Sequence, residues 1–510
     1  MKRASWISLA ILALALLFRL VLLDLKPAHF DEGVNGWFVD QMTRQGYYHY
    51  DPTNFHGPLH FYVIFIAQTL FGRHAWALRL PLALVSTGCV AMLLAYRAYL
   101  GERVCQIAAL CMAVSPAFVF YGRYAIHESW LVLFLLITVW GLAGLCHFGT
   151  RRHLWAAGFG VAGMILTKET YIIHALALAL GYATVRALEM YSPSAAFQPA
   201  AQQWSRRDLG KVAAASLALI LFFYSGCLLD WSGVEGLWLS MAAWIHTGMH
   251  ADTGHEKEPW YWLELLLHYE WPALLGLALS FVLVRPGSSR TLRWIAISGG
   301  GTLFAYSIIA YKTPWCLITM IWPFYFVLGH FVVWANQRLD RWIVAGVTAV
   351  LIGYSLVSSL LLNFRNYARE EEPYVYVQTR EDVHKLLRPL QAAVARDRTN
   401  LHLTGYVAMT DLHPLPWLLA DFTHVTIGAL SELPEDLSNA EFLLTAEEYV
   451  EAVERSLTGL YYREKMTLRG NSGAVQTLYF RAATFSWFFP GRQPEFDSTT
   501  VPKAPAEETP

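Results

Sequence analysis

The run "ESWLVLFLLITVWGLAGLCHF", residues 128–148, is apolar for longer than a soluble core helix needs. Its acid, Glu128, stands at the first position. About 20 mostly apolar residues cross the ~30 Å hydrocarbon layer, so this stretch reads as a transmembrane helix with a carboxylate at its mouth. The composition of the 510-residue chain agrees: 55% of residues are hydrophobic and 15% charged, and the mean hydropathy is +0.34. Such values belong to a polytopic membrane protein rather than to several soluble domains. A net charge of −1 gives no bulk basicity to attract nucleic acid. The six cysteines lie in or beside apolar runs without a CxxC pair, so neither a disulfide framework nor a structural zinc site is indicated.

Working outward, similar runs fall near 5–25, 76–96, 104–120, 153–167, 170–188, 209–229, 268–285, 292–310, 314–334 and 341–362, giving about 11 spans in all. The start, "MKRASWISLAILALALLFRLVLL", has the basic and apolar regions of a signal peptide but no small-residue cleavage site, and reads as a retained anchor. Lys168 and Glu169 separate two of the runs. A turn at the membrane surface there costs less than two charges at mid-bilayer. With the N-terminus inside, the inner segments (Arg97, Arg103, Arg151, Arg152, Arg186, Arg290 and Arg293 among them) carry roughly twice the Lys and Arg of the outer ones. That bias places the N-terminus in the cytoplasm and the region after 362 outside, in a plasma or inner membrane.

This topology brings the unusual polar clusters to one outer face: "HFDEGVNGWF" (29–38), "NFHGPLHFY" (54–62), "YGRYAIHESW" (121–130), "LTKETY" (166–171), "WIHTGMHADTGHEKEPW" (244–260) and "YKTPWCL" (311–317). The first outer loop, about 26–75, is too long for a connector. Val34, Phe38 and Met42 are spaced for a surface helix, and "GPLHFYVIFIAQTLFG" for a surface or re-entrant one. From about 363 the long apolar runs stop. "NLHLTGYVA", "HVTIGAL", "AEFLLTA" and "VQTLYFRA" read as strands, and "TREDVHKLLRPLQAAVARD" and "TAEEYVEAVERSL" as amphipathic helices. The expected organisation is therefore a transmembrane domain over 1–362, a small α/β extracytoplasmic domain over 363–490, and a polar, Pro-rich disordered tail over 491–510.

Four motifs, in this order and topology, resemble those of the GT-C-fold glycosyltransferases of the dolichyl-phosphate-mannose–protein mannosyltransferase and aminoarabinose transferase type. "HFDEG" with "NFHGPLHFY" is similar to the acidic pair and Pro-containing stretch of that family's first outer loop. "SPAFVFYGRYAIHESWLVLF" resembles the second-loop pattern, with Glu128 where Asp is common. "LTKET" resembles its "LTKG", with Glu169 in place of Gly, and "YKTPWCLITMIWP" resembles the late K–P motif. The likeness spans residues 1–335, and its "HFDEG" context is most similar to a prokaryotic subgroup associated with lipid-linked-glycan flipping. The resemblance implies a polytopic α-helical GT-C fold. It also implies a polyprenyl-phosphate sugar donor held among membrane lipids, an acceptor met at the outer face, and partners in envelope-glycan assembly.

Transfer from a lipid phosphate needs a base for the acceptor, cations for the departing phosphate and exclusion of water. Asp31 is the candidate base, with Glu32 as its support or a cation ligand; solvated loop charge is the bland alternative. Arg123, Lys168 and Lys312 are the candidate phosphate clamp, against interfacial snorkelling. Glu128 and Glu169 fit as their ionic partners and His56 as a cavity residue. An acid near the second loop could also ligate a divalent cation. His246 and His250, four apart, with Glu256 nearby, suit a metal on one helix face, although such outer-loop histidines are more often surface groups. Two other function classes stay open: a non-catalytic flippase-associated component for lipid-linked sugars, and a scaffold whose outer domain binds a partner.

Overall fold

The computed structural model describes residues 5–191, 199–249, 254–283, 288–470 and 473–500. The chain forms two compact units: Met1–Leu25, Phe38–Tyr367 and Glu372–Tyr374 in the first; Lys26–Trp37, Ala368–Glu371 and Val375–Pro510 in the second. The expected boundary at 362 is therefore crossed by Lys26–Trp37, which belongs to the second unit.

The first unit is helical. Among the described residues, five helices are long and apolar enough to cross a membrane: Ala75–Leu100, Glu128–Phe148, Tyr171–Tyr191, Pro314–Ala335 and Arg341–Phe364. Two bent pairs, Glu102–Val114 with Pro116–Arg123 (59°) and Tyr261–Tyr269 with Trp271–Val282 (119°), raise the number to seven if each is one span. The remaining expected spans fall on helices Trp6–Leu20 and Arg151–Ile165, which are too short for this measure, and Arg206–Tyr224 and Arg290–Ile308, which are too polar. The first bend has a local cause: Pro116 cannot continue a helix, and the Ser115 hydroxyl caps the new one by accepting from the Phe118 N–H at 3.2 Å.

Small residues let the spans pack closely. A Cβ on Gly160 would stand 2.3 Å from Thr138 Oγ1, so helix Arg151–Ile165 lies directly on helix Glu128–Phe148. Arg19, a charge inside an apolar helix, is fully buried and donates to Ser86 Oγ (2.8 Å) and to the carbonyls of Ala113 and Met112 (both 3.2 Å). Its hydrogen bonds are met inside the bundle, as a membrane charge requires. In the expected first loop, Phe30–Gln45 and Leu59–Phe71 are the two helices anticipated from the sequence.

The second unit is built on a six-stranded mixed sheet. Its strands are β1 (Thr404–Ala408), β2 (His424–Gly428), β3 (Phe442–Ala446), β4 (Leu460–Met466), β5 (Gln476–Arg481) and β6 (Phe496–Asp497), ordered β2-β1-β3-β5-β4-β6. β1 runs parallel to β2 and β3, whereas β5 is antiparallel to both β3 and β4. Alternation along the strands sends Val407, Leu444, Leu478 and Phe480 to one core, with Leu386 and Leu390 of helix Val383–Arg396. Tyr406, Leu443 and Tyr479 face the other core, with Val453. β4 was not foreseen, because the charged run Arg463–Glu464–Lys465 masks its alternation. β6 places part of the expected tail in the sheet, with Phe496 buried; residues 501–510 lie outside the described residues.

Candidate active site

In the first unit, four of the sequence motifs converge. The Gly57 N–H donates to the Thr167 carbonyl at 3.1 Å, and the Leu59 N–H to the Leu166 carbonyl at 3.0 Å. A side chain at Gly57 would collide with the Leu166 backbone at 2.2 Å, so the "HGPL" stretch is fitted against "LTKE". That fit sets His56 Nδ1 2.9 Å from Glu169 Oε2. The His127 ring lies between two others, with centroids 4.5 Å from His56 and 4.3 Å from His60. Next to it, the Lys168 ammonium donates to Glu128 Oε1, and Cys316 of the last motif has its Sγ 3.9 Å from the same oxygen.

This cluster is nearly dry. The side chains of Lys168, Glu128 and Glu169 are 7%, 2% and 2% exposed. Burial works against the Lys168 charge, but Glu128, Cys316 and Glu169 outweigh it and hold the ammonium well above its ordinary range. Burial, then His60, His56 and Lys168, push the His127 ring well below the usual histidine value, which keeps it neutral. Its Nε2 is buried without a hydrogen-bond partner among the described residues. Of the two acids expected to pair with the clamp cations, Glu128 meets Lys168, whereas Glu169 meets His56 instead.

The other two expected clamp cations stand in different surroundings. Arg123 is fully buried and donates to the carbonyls of Phe18 (2.9 Å), Val21 and Leu22 (both 2.6 Å), over the Phe364 ring at 4.9 Å. It closes the C-terminal end of helix Trp6–Leu20, where the last carbonyls of a helix lack intrahelical partners. Its two terminal nitrogens donate to backbone, whereas its Nε is buried without an acceptor among the described residues, a setting that fits a structural role better than the expected clamp. Lys312 Nζ donates to the Lys257 carbonyl at 3.0 Å and to that of Ile309. Burial lowers its ammonium below the ordinary lysine value, opposed by Glu258.

In the second unit, the two adjacent acids of "HFDEG" have separate fates. Glu32 is buried, and its Oε2 accepts the His29 N–H at 2.9 Å, capping helix Phe30–Gln45. Asp31 keeps its side chain 36% exposed. The Asp31 N–H donates to His29 Nδ1 at 3.1 Å, while His29 Nε2 meets the Tyr376 carbonyl at 2.8 Å; these partners assign the Nε2–H tautomer. Arg469 lies over the Phe30 ring at 4.8 Å, pairs with Asp411, and donates to the His413 carbonyl. Its burial brings the guanidinium down to about 10, with Asp31 acting in the opposite direction. Sequence reasoning missed Arg469, which carries no motif, and also His127, whose place beside Glu128 was a readable signal.

Of the expected metal residues, His246 lies on helix Ser232–Met249, Glu256 bridges Tyr311 in a short antiparallel contact, and His250 lies outside the described residues. Among the described residues, no group of three or more His, Cys, Asp or Glu is arranged to hold a metal ion.

Comparison with known proteins follows this geometry. Residues 55–224 match the family model of the dolichyl-phosphate-mannose-protein mannosyltransferases, a range that contains His56, His127, Glu128, Lys168 and Glu169. YkcB of Bacillus subtilis, whose name assigns it provisionally to the mannosyltransferases, is 32% identical over 119 residues, 23% of this chain and 17% of that protein. The match thus spans under a fifth of the relative's length. Among solved structures, ArnT of Cupriavidus metallidurans bound to undecaprenyl phosphate is 16% identical, with a TM-score of 0.61 over 92% of this chain and 97% of ArnT. The archaeal oligosaccharyltransferase AglB of Archaeoglobus fulgidus, in complex with an inhibitory peptide and a dolichol-phosphate, is 11% identical. Its TM-score is 0.51 over 90% of this chain and 74% of AglB.

Proposed function

We propose that this chain is a PMT-like member of the GT-C superfamily and that it transfers a sugar from a polyprenyl-phosphate donor to a lipid, glycan or protein acceptor, a reading supported by the family-model match over residues 55–224 and the fold shared with ArnT. The reaction takes place at the outer face of a plasma or inner membrane, with the N-terminus cytoplasmic and the sheet domain extracytoplasmic. The observation that carries this reading is the buried cluster in which "HGPLH", "IHE", "LTKE" and "TPWC" meet around Lys168 and Glu128. A buried ion pair costs desolvation and is a weak device for stability, so its presence beside His127, whose burial keeps it neutral, favours a role in chemistry.

The steps balance without a further reactant. An acceptor hydroxyl or amine attacks the sugar's anomeric carbon, the bond from that carbon to the phosphate oxygen breaks, and polyprenyl phosphate leaves with the electron pair. Asp31, the exposed member of its acid pair, takes the acceptor proton; such a base contributes ~10²–10⁴-fold in rate. Lys168 and Lys312 are assigned to the charge on the departing phosphate. Glu128, Glu169 and His56 hold Lys168 and its surroundings in place, and the low local dielectric strengthens the lysine's effect.

The reading is tested by purifying the protein in mild detergent and identifying the polyprenyl lipids that co-purify by mass spectrometry. A polyprenyl phosphate or its glycosylated form is the expected result. A bound lipid-linked sugar that is never transferred to any acceptor would favour a transport component instead.

A further inference from the structure

A second polar cluster in the transmembrane unit is used by none of this chemistry. At the C-terminal end of helix Tyr171–Tyr191, Glu189 is shared by three guanidiniums: Arg186 (3.3 Å), Arg290 (3.3 Å) and Arg293 (3.4 Å). The side chains of Arg290 and Arg293 are only 9% exposed, and Arg293 Nε is buried with no acceptor among the described residues. Arg290 also lies over the Tyr182 ring at 5.3 Å, and beside it Thr291 Oγ1 meets His147 Nε2 at 2.9 Å. Three cations on one carboxylate leave an excess of positive charge at this end of the helices.

Arg290, Thr291, His147 and Tyr182 form the polar end of a cleft of about 500 Å³ between four helices, in the usual size range of small-molecule sites. The rest of its wall is largely apolar, with Leu142, Cys146, Val161, Met164, Leu178 and Trp294 beside Thr138 and Tyr171. Val161 is 44% exposed, so the cleft reaches the surface that the helices turn toward lipid. Helix Glu128–Phe148 fixes its depth. Glu128 marks the Lys168 end and His147 the arginine end, 21 residues in all, which corresponds to about 30 Å of rise. The arginine cluster therefore stands about one hydrocarbon thickness from Lys168, at the opposite end of the spans.

We infer that this cleft is a binding site for an anionic phospholipid of the opposite leaflet, with its phosphate on Arg290, the arginine that lines the cleft, and an acyl chain between the helices. An apolar cleft wall selects for a chain and excludes free inorganic phosphate, while the surplus of arginines selects an anionic headgroup. The arginine end, and with it the headgroup, stands about one hydrocarbon thickness from Lys168, whereas the apolar wall runs on to Met164 and Tyr171 near that lysine. The inference does not depend on the proposed sugar transfer.

The test is native mass spectrometry of the purified full-length protein titrated with phosphatidylglycerol, phosphatidylcholine or undecaprenyl phosphate. The expected result is preferential binding of phosphatidylglycerol, weakened about fivefold by Arg290→Gln, since one arginine near a headgroup is worth ~1 kcal/mol. Ala179→Phe, which fills the cleft and leaves the arginines in place, should abolish that binding. Equal affinity for phosphatidylcholine, undecaprenyl phosphate displacing phosphatidylglycerol at equal concentration, or unchanged phosphatidylglycerol binding in both variants would each overturn the proposal.

Discussion

The ammonium of Lys168 and the carboxylate of Glu128 form an ion pair whose two side chains are 7% and 2% exposed. Each charge is tolerable there only because of the other. Removing one partner leaves an uncompensated buried charge, which costs about 3–5 kcal/mol. Glu128→Gln should therefore lower the apparent Tm in detergent strongly. The double variant Glu128→Gln, Lys168→Met should recover much of that stability and none of the sugar transfer. Thermal unfolding and transfer assays on the same preparations separate the two effects.

Asp31 and Glu32 are neighbours with opposite expectations. Glu32 caps the helix start through the His29 N–H, so Glu32→Ala should cost about 1 kcal/mol of stability in the second unit. Asp31 is a partly exposed acid, and Asp31→Asn should leave stability within about 0.5 kcal/mol of the wild type. Limited proteolysis of the two variants gives the comparison.

The glycines of the same motif are sites of close approach. A Cβ on Gly36 would fall 2.4 Å from Trp417 Cδ1, and one on Gly33 at 2.4 Å from Pro414 Cα. Gly36→Ala should destabilise the second unit by about 1–3 kcal/mol, the usual cost of overpacking. Gly210→Ala, in helix Arg206–Tyr224 with nothing within 4 Å of the new methyl, should be neutral or slightly stabilising. Melting curves of the two variants distinguish the cases.

Arg123 should behave as a structural residue. Its guanidinium holds the carbonyls of Phe18, Val21 and Leu22, and hydrogen bonds to a charged group are worth about 1.5–3 kcal/mol each. Arg123→Ala should reduce the yield of folded protein while leaving the KM for the lipid donor unchanged in the fraction that folds. A raised KM with unaltered stability would return Arg123 to the phosphate.

Much of this was readable from the chain. The apolar runs located the helices, and a strand with a short apolar run, such as "EFLLTA", was found within a few residues. Clustering of polar motifs on one face anticipated that His56, Glu128 and Lys168 share a neighbourhood. What sequence could not supply was pairing. Nothing in "LTKET" says that Lys168 turns to Glu128 while Glu169 turns to His56, because that depends on how "HGPL" docks on the loop. Arg469 was invisible for a similar reason: residues more than 430 positions apart meet at Phe30 only through the sheet. Span counting was limited by helices such as Arg206–Tyr224, whose charged first turn lowers their hydropathy.

The central claim is that Asp31 deprotonates the acceptor during sugar transfer from a polyprenyl phosphate. It is tested most directly by reconstituting the wild type and Asp31→Asn in liposomes with a panel of polyprenyl-phosphate sugars and acceptors. The quantity to measure is polyprenyl phosphate released per enzyme over time. The account predicts release by the wild type and a loss of ~10²-fold or more in the folded, inserted variant. Equal release by the two proteins would contradict it.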